Sequence, residues 1–209
     1  MLKEAVIENC APTLAGIKTG NLFSLKNDRS GTTQDICSLN RILRKKGLRI
    51  IPVRKTERTT MFYLYRPERL KRDLERDEAA TILSEKGYCC DDPNLCLVQL
   101  VRHLKEDSEF PHEIGLFLGY PPSDVRAFMN SPCCGVQCTG CWKAYSNRDE
   151  AVKIFDSYRR CTDIYRRKAK KGVNLESLIV AEGCGREARD IAIKVRSRES
   201  RASFGTVSI

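Results

Sequence analysis

Four cysteines occur within nine positions of the sequence, in the segment SPCCGVQCTGC. Thiolate sulfur binds zinc and iron–sulfur clusters, and four such ligands complete a tetrahedral site. Adjacent cysteines rarely both bind one ion, so a complete site here takes a further ligand from elsewhere in the chain. The metal ligands that we consider for zinc or an iron–sulfur cluster are Cys10, Cys134, Cys138, Cys141 and Cys161, with His112 as a further option.

The spacing of these cysteines allows three interpretations. Cys134, Cys138 and Cys141 are spaced as in radical S-adenosylmethionine enzymes, but too little chain follows for the barrel of those enzymes. Cys138 and Cys141 also form a CxxC motif, although such redox motifs open a helix and this one runs into the strand-like segment WKAY. Cysteines can also serve as small apolar residues under a loop. Metal binding, thiol exchange and packing therefore all stay open.

The segment AGIKTG, residues 15–20, superficially resembles a phosphate-binding P-loop. A P-loop needs a glycine directly before its lysine, followed by a helix. Ile17 separates Gly16 from Lys18, and the residues that follow are typical of a strand. The segment is therefore interpreted as a turn bounded by glycines.

His112 and Glu113 are the only histidine and carboxylate that are adjacent in the sequence. Position 116 is leucine, so the HExxH signature of zinc peptidases is absent. A glutamate near a helix start is favoured by the helix dipole, which explains the pair without any chemistry. A ligand or general-acid role for His112 is the alternative.

The elements that position these residues follow from the hydrophobic pattern. Short runs rich in β-branched and aromatic residues predict strands, and apolar residues at helical spacing predict helices that end at glycine. The predicted strands are 20–25, 48–53, 60–65 and a short one at WKAY; the predicted helices are 35–46, 67–86, 93–105 and 147–171, with short ones that begin at Pro111 and Pro122. This order predicts an α+β fold: one domain with a small mixed or antiparallel sheet and helices packed on it.

The last long helix is predicted to bring the cysteine loop and Cys161 together. Asn147 and Glu150 resemble a capping box at its start. Apolar residues follow at steps of three or four, so Cys161 and Tyr165 share the buried face. We therefore expect Cys138, Cys141 and Cys161 to converge. His103, in the preceding long helix, lies off the apolar stripe and is predicted to face solvent.

Positive charge is concentrated at the C-terminus. The net charge is +10, and residues 159–209 contain 13 Lys and Arg against six Asp and Glu. We predict a domain over residues 1–182 and a basic, flexible tail over 183–209.

The alternative function is a nucleic-acid or acidic-protein binding module. Only weak, nonspecific and salt-dependent binding to nucleic acid is expected, because no base-reading motif is present. Its cations are Arg159, Arg160, Arg166, Arg167, Lys168, Lys170 and Lys171.

The cellular compartment is predicted from what the chain lacks. The first residues carry charges within the segment MLKEAVIENC, and no run of about 18 apolar residues is present, so neither a signal peptide nor a membrane span is expected. The protein is therefore predicted to be cytoplasmic, and in that compartment thiols stay reduced. The odd number of cysteines, 11, agrees with that expectation.

Four segments of the chain resemble a known family. They are NCAPTLAGIKTGNLFSL, FPHEIGLFLGYPPSDV, CTGCWKAY and YRRCTDIY, and the similarity spans about residues 4–182. The chain resembles a family of small uncharacterised proteins, a domain of unknown function found widely in anaerobic Clostridia-like Firmicutes. In that family the segment like YRRCTDIY often continues with a further cysteine, where this chain has Arg166.

The resemblance brings no established activity with it. It implies an intracellular protein of oxygen-poor organisms, working beside flavodoxin-like electron carriers. Cys10, Cys138, Cys141 and Cys161 fall inside the family-like segments. We therefore expect a thiol or metal-binding accessory protein in redox or metal handling, in which Cys138 and Cys141 ligate or exchange and Cys161 supports them.

Overall fold

The computed structural model of the protein describes residues 2–27, 32–90, 92–106 and 109–181. The strands are β1 (Gly20–Lys26), β2 (Arg49–Lys55), β3 (Thr59–Tyr65), β4 (Cys138–Thr139) and β5 (Lys143–Ala144). The helices are α1 (Leu2–Leu14), α2 (Thr32–Arg44), α3 (Pro67–Leu74), α4 (Asp77–Glu85), α5 (Pro93–Glu106), α6 (Ile114–Phe117), α7 (Pro122–Asn130), α8 (Arg148–Lys170) and α9 (Leu175–Leu178). The predicted C-terminal tail lies outside the described residues.

Three strands form the main sheet, in the order β1-β3-β2, and both pairings are antiparallel. Gly20 pairs with Tyr65 at one end of the β1–β3 ladder. The register of β2 shifts after Pro52, and proline is tolerated there because β2 is an edge strand. The α+β class, with a small antiparallel sheet, is confirmed.

The central strand β3 is buried on both faces of this sheet. Phe62 and Leu64 project into a core formed with α1, α2, α9 and the second half of α8. Tyr63 and Tyr65 project the other way, into a core formed with α3 to α7. Alternate side chains of a strand point to opposite faces, so the part of β3 that lies between two helical layers has apolar or aromatic residues at consecutive positions.

The N-terminal helix α1 is absent from the sequence-based prediction. Its buried residues include Val6, Ile7, Ala11 and Leu14, and they surround much of the helix instead of forming one stripe. Pro12 lies within the helix, where proline normally disfavours helical structure. Because α1 is enclosed by its neighbours, it has no clear helical period for sequence analysis to detect.

The predicted helix 67–86 is wrong in one respect, because the structure divides it into α3 and α4. Arg76 is extended between them, with φ −67° and ψ 134°. Its guanidinium lies 3.2 Å from Oδ1 of Asp73. Leu74 of α3 and Ile82 of α4 belong to the same core on either side of the break.

The orientation predicted for His103 is also wrong. Its Nδ1 lies 3.0 Å from the hydroxyl of Tyr88 and 3.6 Å from Oε1 of Glu113. The Tyr88 hydroxyl donates a hydrogen bond of 2.8 Å to the same carboxylate. His103 therefore belongs to a partly buried polar group, because loops from elsewhere in the chain cover its side of α5.

Several predicted helix ends agree with the structure, although α6 begins at Ile114 and not at the predicted Pro111. Asn147 accepts a hydrogen bond from the Glu150 amide, which confirms the predicted N-cap; the Glu150 carboxylate accepts from the side-chain amide of Asn147, not from its backbone N–H as in a complete capping box. Gly47, Gly87 and Gly172 follow helices with φ between 76° and 81°, as expected of glycine at helix ends. In the part of the chain that the structure describes, no helix has both the length and the apolar character to cross a membrane.

Candidate functional site

The CxxC segment forms a tight hairpin. Cys138 of β4 pairs with Ala144 of β5, and the Gly140 amide donates a 2.9 Å hydrogen bond to the Trp142 carbonyl. A Cβ atom at Gly140 would overlap the ring of Phe155, so the hairpin can approach α8 only because this residue is glycine. Cys141 lies in the turn between β4 and β5, and it is exposed.

A buried carboxylate anchors this hairpin to α7. Asp124 has only 3% of its surface exposed. It accepts hydrogen bonds from the Trp142 indole N–H at 2.8 Å and from the Tyr145 amide at 2.9 Å. The amide and hydroxyl of Ser146 donate two more, at 3.0 and 2.9 Å. Because the four donors come from one short segment, Asp124 determines where the hairpin lies.

The cysteines of this segment have different environments. Cys138 is partly buried against a small cluster that includes Phe155, and its Sγ lies 3.9 Å from the Arg148 carbonyl oxygen. Cys141 and Cys134 are exposed, as is Cys133. The Tyr120 hydroxyl donates a 3.0 Å hydrogen bond to the Cys141 carbonyl.

The other two predicted ligands lie elsewhere in the core. Cys10 is fully buried in α1, and burial raises the pKa of its thiol well above the usual range. Cys161 is partly buried on α8, where burial raises the pKa of its thiol to about 12. Both thiols are therefore neutral at physiological pH, as for cysteines that pack as apolar residues.

The predicted ligands do not form one cluster in this arrangement. Cys138 contacts Arg148 at the start of α8, whereas Cys161 is 13 residues further along that helix. At 1.5 Å per residue, this separation is about 20 Å. Among the residues that the structure describes, no three His, Cys, Asp or Glu side chains are arranged to hold a metal ion. Zinc or iron–sulfur binding stays a prediction.

A buried lysine lies beside the hairpin. Lys18 is only 5% exposed, and its Nζ lies 5.2 Å from the ring centre of Tyr120 and 5.7 Å from that of Tyr158. Across the described ranges, no carboxylate lies within 4 Å of this ammonium. Burial lowers the pKa of Lys18, an effect opposed first by the nearby Cys141 and then by Cys10.

The turn that carries Lys18 is held from several sides. Its start is fixed by Arg66, which donates to the carbonyls of Thr13 and Leu14 at 2.8 and 2.9 Å. Arg69 donates a 2.7 Å hydrogen bond to the Gly16 carbonyl, and the Thr19 hydroxyl donates to Asp73. Gly16 has a φ of 77°, which confirms the predicted glycine-bounded turn.

Sequence analysis did not detect Lys18 or its aromatic neighbours as a site. The lysine was noted only within a failed P-loop comparison, and Tyr120 only within the helix-breaking segment GYPP. The available signal was a lysine between two glycines in a segment of otherwise apolar and small residues. That signal identifies a turn, but it does not reveal what packs on the turn.

His112 and Glu113 do not act as a pair. Glu113 is buried and accepts the Tyr88 hydroxyl hydrogen bond, whereas His112 is exposed and its ring meets Phe128 edge to face at 5.0 Å. The two residues are therefore adjacent in the sequence but do not share a site. The general-acid role of His112 stays an untested alternative.

The cations of α8 lie on its solvent side. Arg166, Arg167 and Lys170, together with Asp163, line a shallow surface depression. The exposed basic residues of this surface and its continuation are Arg159, Arg160, Arg166, Arg167, Lys168, Lys170 and Lys171. Tyr165 of the same helix is buried, so it cannot stack on a base. Nucleic-acid binding by this surface stays a prediction.

Replacing Lys18 with Met is expected to stabilise the protein at neutral pH by about 1–2 kcal/mol, because a buried charge without a carboxylate is removed. Burial lowers the pKa of Lys18 in the folded protein. The loss of folding stability caused by its charge is therefore greatest below that pKa, and it disappears as the pH rises towards the pKa of a lysine in the unfolded chain, about 10.4. The advantage of Lys18→Met should therefore shrink between neutral and alkaline pH in urea denaturation. Lys153→Met, at an exposed site on α8, is the control; equal effects at both sites would contradict this expectation.

The described residues define a class: an α+β protein in which a cysteine hairpin lies beside a buried lysine flanked by tyrosines. The chain belongs to the family described as "Protein of unknown function (DUF3793)", whose model matches residues 6–179. No curated protein and no solved structure matches the chain.

Proposed function

We propose that the protein performs thiol chemistry at Cys141, with the Lys18 ammonium stabilising the thiolate. The observation that carries this proposal is that one tyrosine, Tyr120, contacts both residues: its hydroxyl donates to the carbonyl of the exposed Cys141, and its ring centre lies 5.2 Å from Nζ of the buried Lys18. Lys18 has no carboxylate within 4 Å among the described residues. The thiolate is the reactive form of cysteine, and a neighbouring cation favours it.

The surroundings of Cys141 support this assignment over the other cysteines. Tyr120 holds the backbone of Cys141 through its hydroxyl, and the ring of the same tyrosine contacts Lys18. Cys138 is turned partly into the core, and Cys161 has a thiol that burial keeps neutral. Of Cys138, Cys141 and Cys161, Cys141 is therefore the thiol that is exposed to a substrate.

The chemistry that follows is nucleophilic attack on an electrophilic sulfur or carbon. With a disulfide substrate, the Cys141 sulfur forms a mixed disulfide and the second substrate sulfur leaves as a thiolate. A positively charged neighbour favours substrates whose reacting group carries negative charge or develops it. This is a redox accessory function of the kind that the cysteine pattern predicts, without a bound metal.

The test is the rate at which each cysteine is alkylated by iodoacetamide at neutral pH, measured by mass spectrometry of peptides. Cys141 is expected to react about fivefold faster than Cys134, which is an exposed thiol of the same loop. Lys18→Met should remove that difference and leave Cys134 unchanged, whereas Lys153→Met should change neither. Equal rates at Cys141 and Cys134 in the wild type would end the proposal.

A further inference from the structure

A cavity of about 200 Å³ lies between α6, α7 and the hairpin, on residues that the thiol proposal does not use for chemistry. We call it the Trp142 cavity. Its wall is mainly aromatic and apolar, with two basic side chains. The lining residues used below are His112, Tyr120, Asp124, Phe128, Trp142 and Lys143.

The aromatic part of the wall is held in place before any ligand arrives. The Trp142 ring stacks on Tyr120 with centres 4.9 Å apart, and it meets Phe155 edge to face at 4.5 Å. Its indole N–H is bonded to Asp124. A flat side chain fixed by three neighbours is a ready surface for a second flat ring.

The polar groups of the cavity favour a negative ligand. Lys143 donates one hydrogen bond, of 3.0 Å, to the Pro132 carbonyl, so two of its three ammonium donors remain for a ligand. Its Nζ lies 5.6 Å from the ring centre of Phe128. The ring of His112 packs against the same phenylalanine. Both basic side chains therefore lie at one part of the wall.

The one carboxylate of the wall does not oppose an anion strongly. Asp124 already accepts hydrogen bonds from the indole, two backbone amides and a hydroxyl. Its charge is thus compensated by protein donors, and a cationic ligand has no free carboxylate to bind there. The remaining donor capacity belongs to Lys143.

We propose that the Trp142 cavity binds a planar aromatic carboxylate, with the ring against Trp142 and Phe128 and the carboxylate towards Lys143. An apolar cavity of about 150 Å³ is known to admit benzene, so about 200 Å³ suits one ring with a carboxylate. The ammonium supplies a charge-assisted hydrogen bond that an uncharged ring does not receive. This site is separate from the reacting thiol, although Tyr120 borders both.

The protein offers a direct readout, because Trp142 is the only tryptophan of the whole chain. Titration with benzoate is expected to change the tryptophan emission saturably, with Kd below about 1 mM. Acetate, which has the charge without the ring, and benzyl alcohol, which has the ring without the charge, should bind at least about tenfold more weakly at the same ionic strength.

Two variants separate anion recognition from simple burial of a ring. Lys143→Met should weaken benzoate about tenfold and leave benzyl alcohol unchanged, whereas the exposed control Lys153→Met should affect neither. Cys141→Ser should bind benzoate as the wild type does, so this proposal and the thiol proposal fail independently. Urea denaturation of each variant shows whether it is folded. No saturable change with benzoate, or equal affinity in folded Lys143→Met, would overturn the proposal.

Discussion

Asp124→Ala is expected to lower the free energy of unfolding by about 3–5 kcal/mol. The substitution leaves the indole N–H of Trp142 and two backbone amides without their acceptor in a partly buried site. A single unpaired buried donor costs about 1–3 kcal/mol, and local rearrangement limits the sum. The measurement is urea denaturation followed by both circular dichroism and Trp142 emission.

The matched control for this substitution is Asp149→Ala. Asp149 also lies in the first turn of a helix, so both residues interact favourably with a helix dipole, but Asp149 is exposed. It should cost less than about 1 kcal/mol. Asp124→Asn, which retains one acceptor oxygen, should fall between the two alanine variants. If Asp124→Ala and Asp149→Ala lost equal stability, the carboxylate would not be the anchor of the hairpin.

Arg66→Met is expected to cost a similar amount, about 3–5 kcal/mol. Arg66 is only 3% exposed, and its guanidinium donates to the carbonyls of Thr13, Leu14 and Val180. These carbonyls belong to the end of α1 and to the segment after α9. Methionine fills much of the space but donates no hydrogen bond, so the carbonyls lose their partner.

Thermal and urea denaturation of Arg66→Met should be compared with Arg69→Met. Arg69 is partly buried and donates one hydrogen bond, to the Gly16 carbonyl, so its loss should cost about 1 kcal/mol. Because Arg66 fixes the start of the turn that carries Lys18, Arg66→Met should also reduce the alkylation rate of Cys141. A stability loss no larger than that of Arg69→Met would contradict the role assigned to Arg66.

Features that depend on near neighbours in the chain were predictable. The strands 20–25, 48–53 and 60–65 agree with β1, β2 and β3 within two residues at each end. The capping box at Asn147 and the helix-ending glycines depend on a few consecutive residues, and they were found for that reason. The break between α3 and α4 was missed because both parts keep a helical apolar pattern.

Features that depend on contacts between distant segments were not predictable. Cys141 and Cys138 look equivalent in a CxxC motif, but only the packing of the hairpin on Phe155 exposes one and turns the other partly inward. Lys18 and Tyr158 are 140 positions apart, and nothing local indicates that they meet. The partners of Asp124 likewise come from a segment beyond its own helix.

The sequence by itself determined the α+β class, the strands of the main sheet, most helix boundaries and the presence of a cysteine-rich turn, because these follow from local periodicity and turn chemistry. Only the tertiary structure decided which thiols are buried and neutral, which lysine is buried without a carboxylate within 4 Å among the described residues, and where a cavity remains. Those properties depend on the solvent that each group loses when distant elements pack together, and that loss is not encoded in the spacing of any one segment.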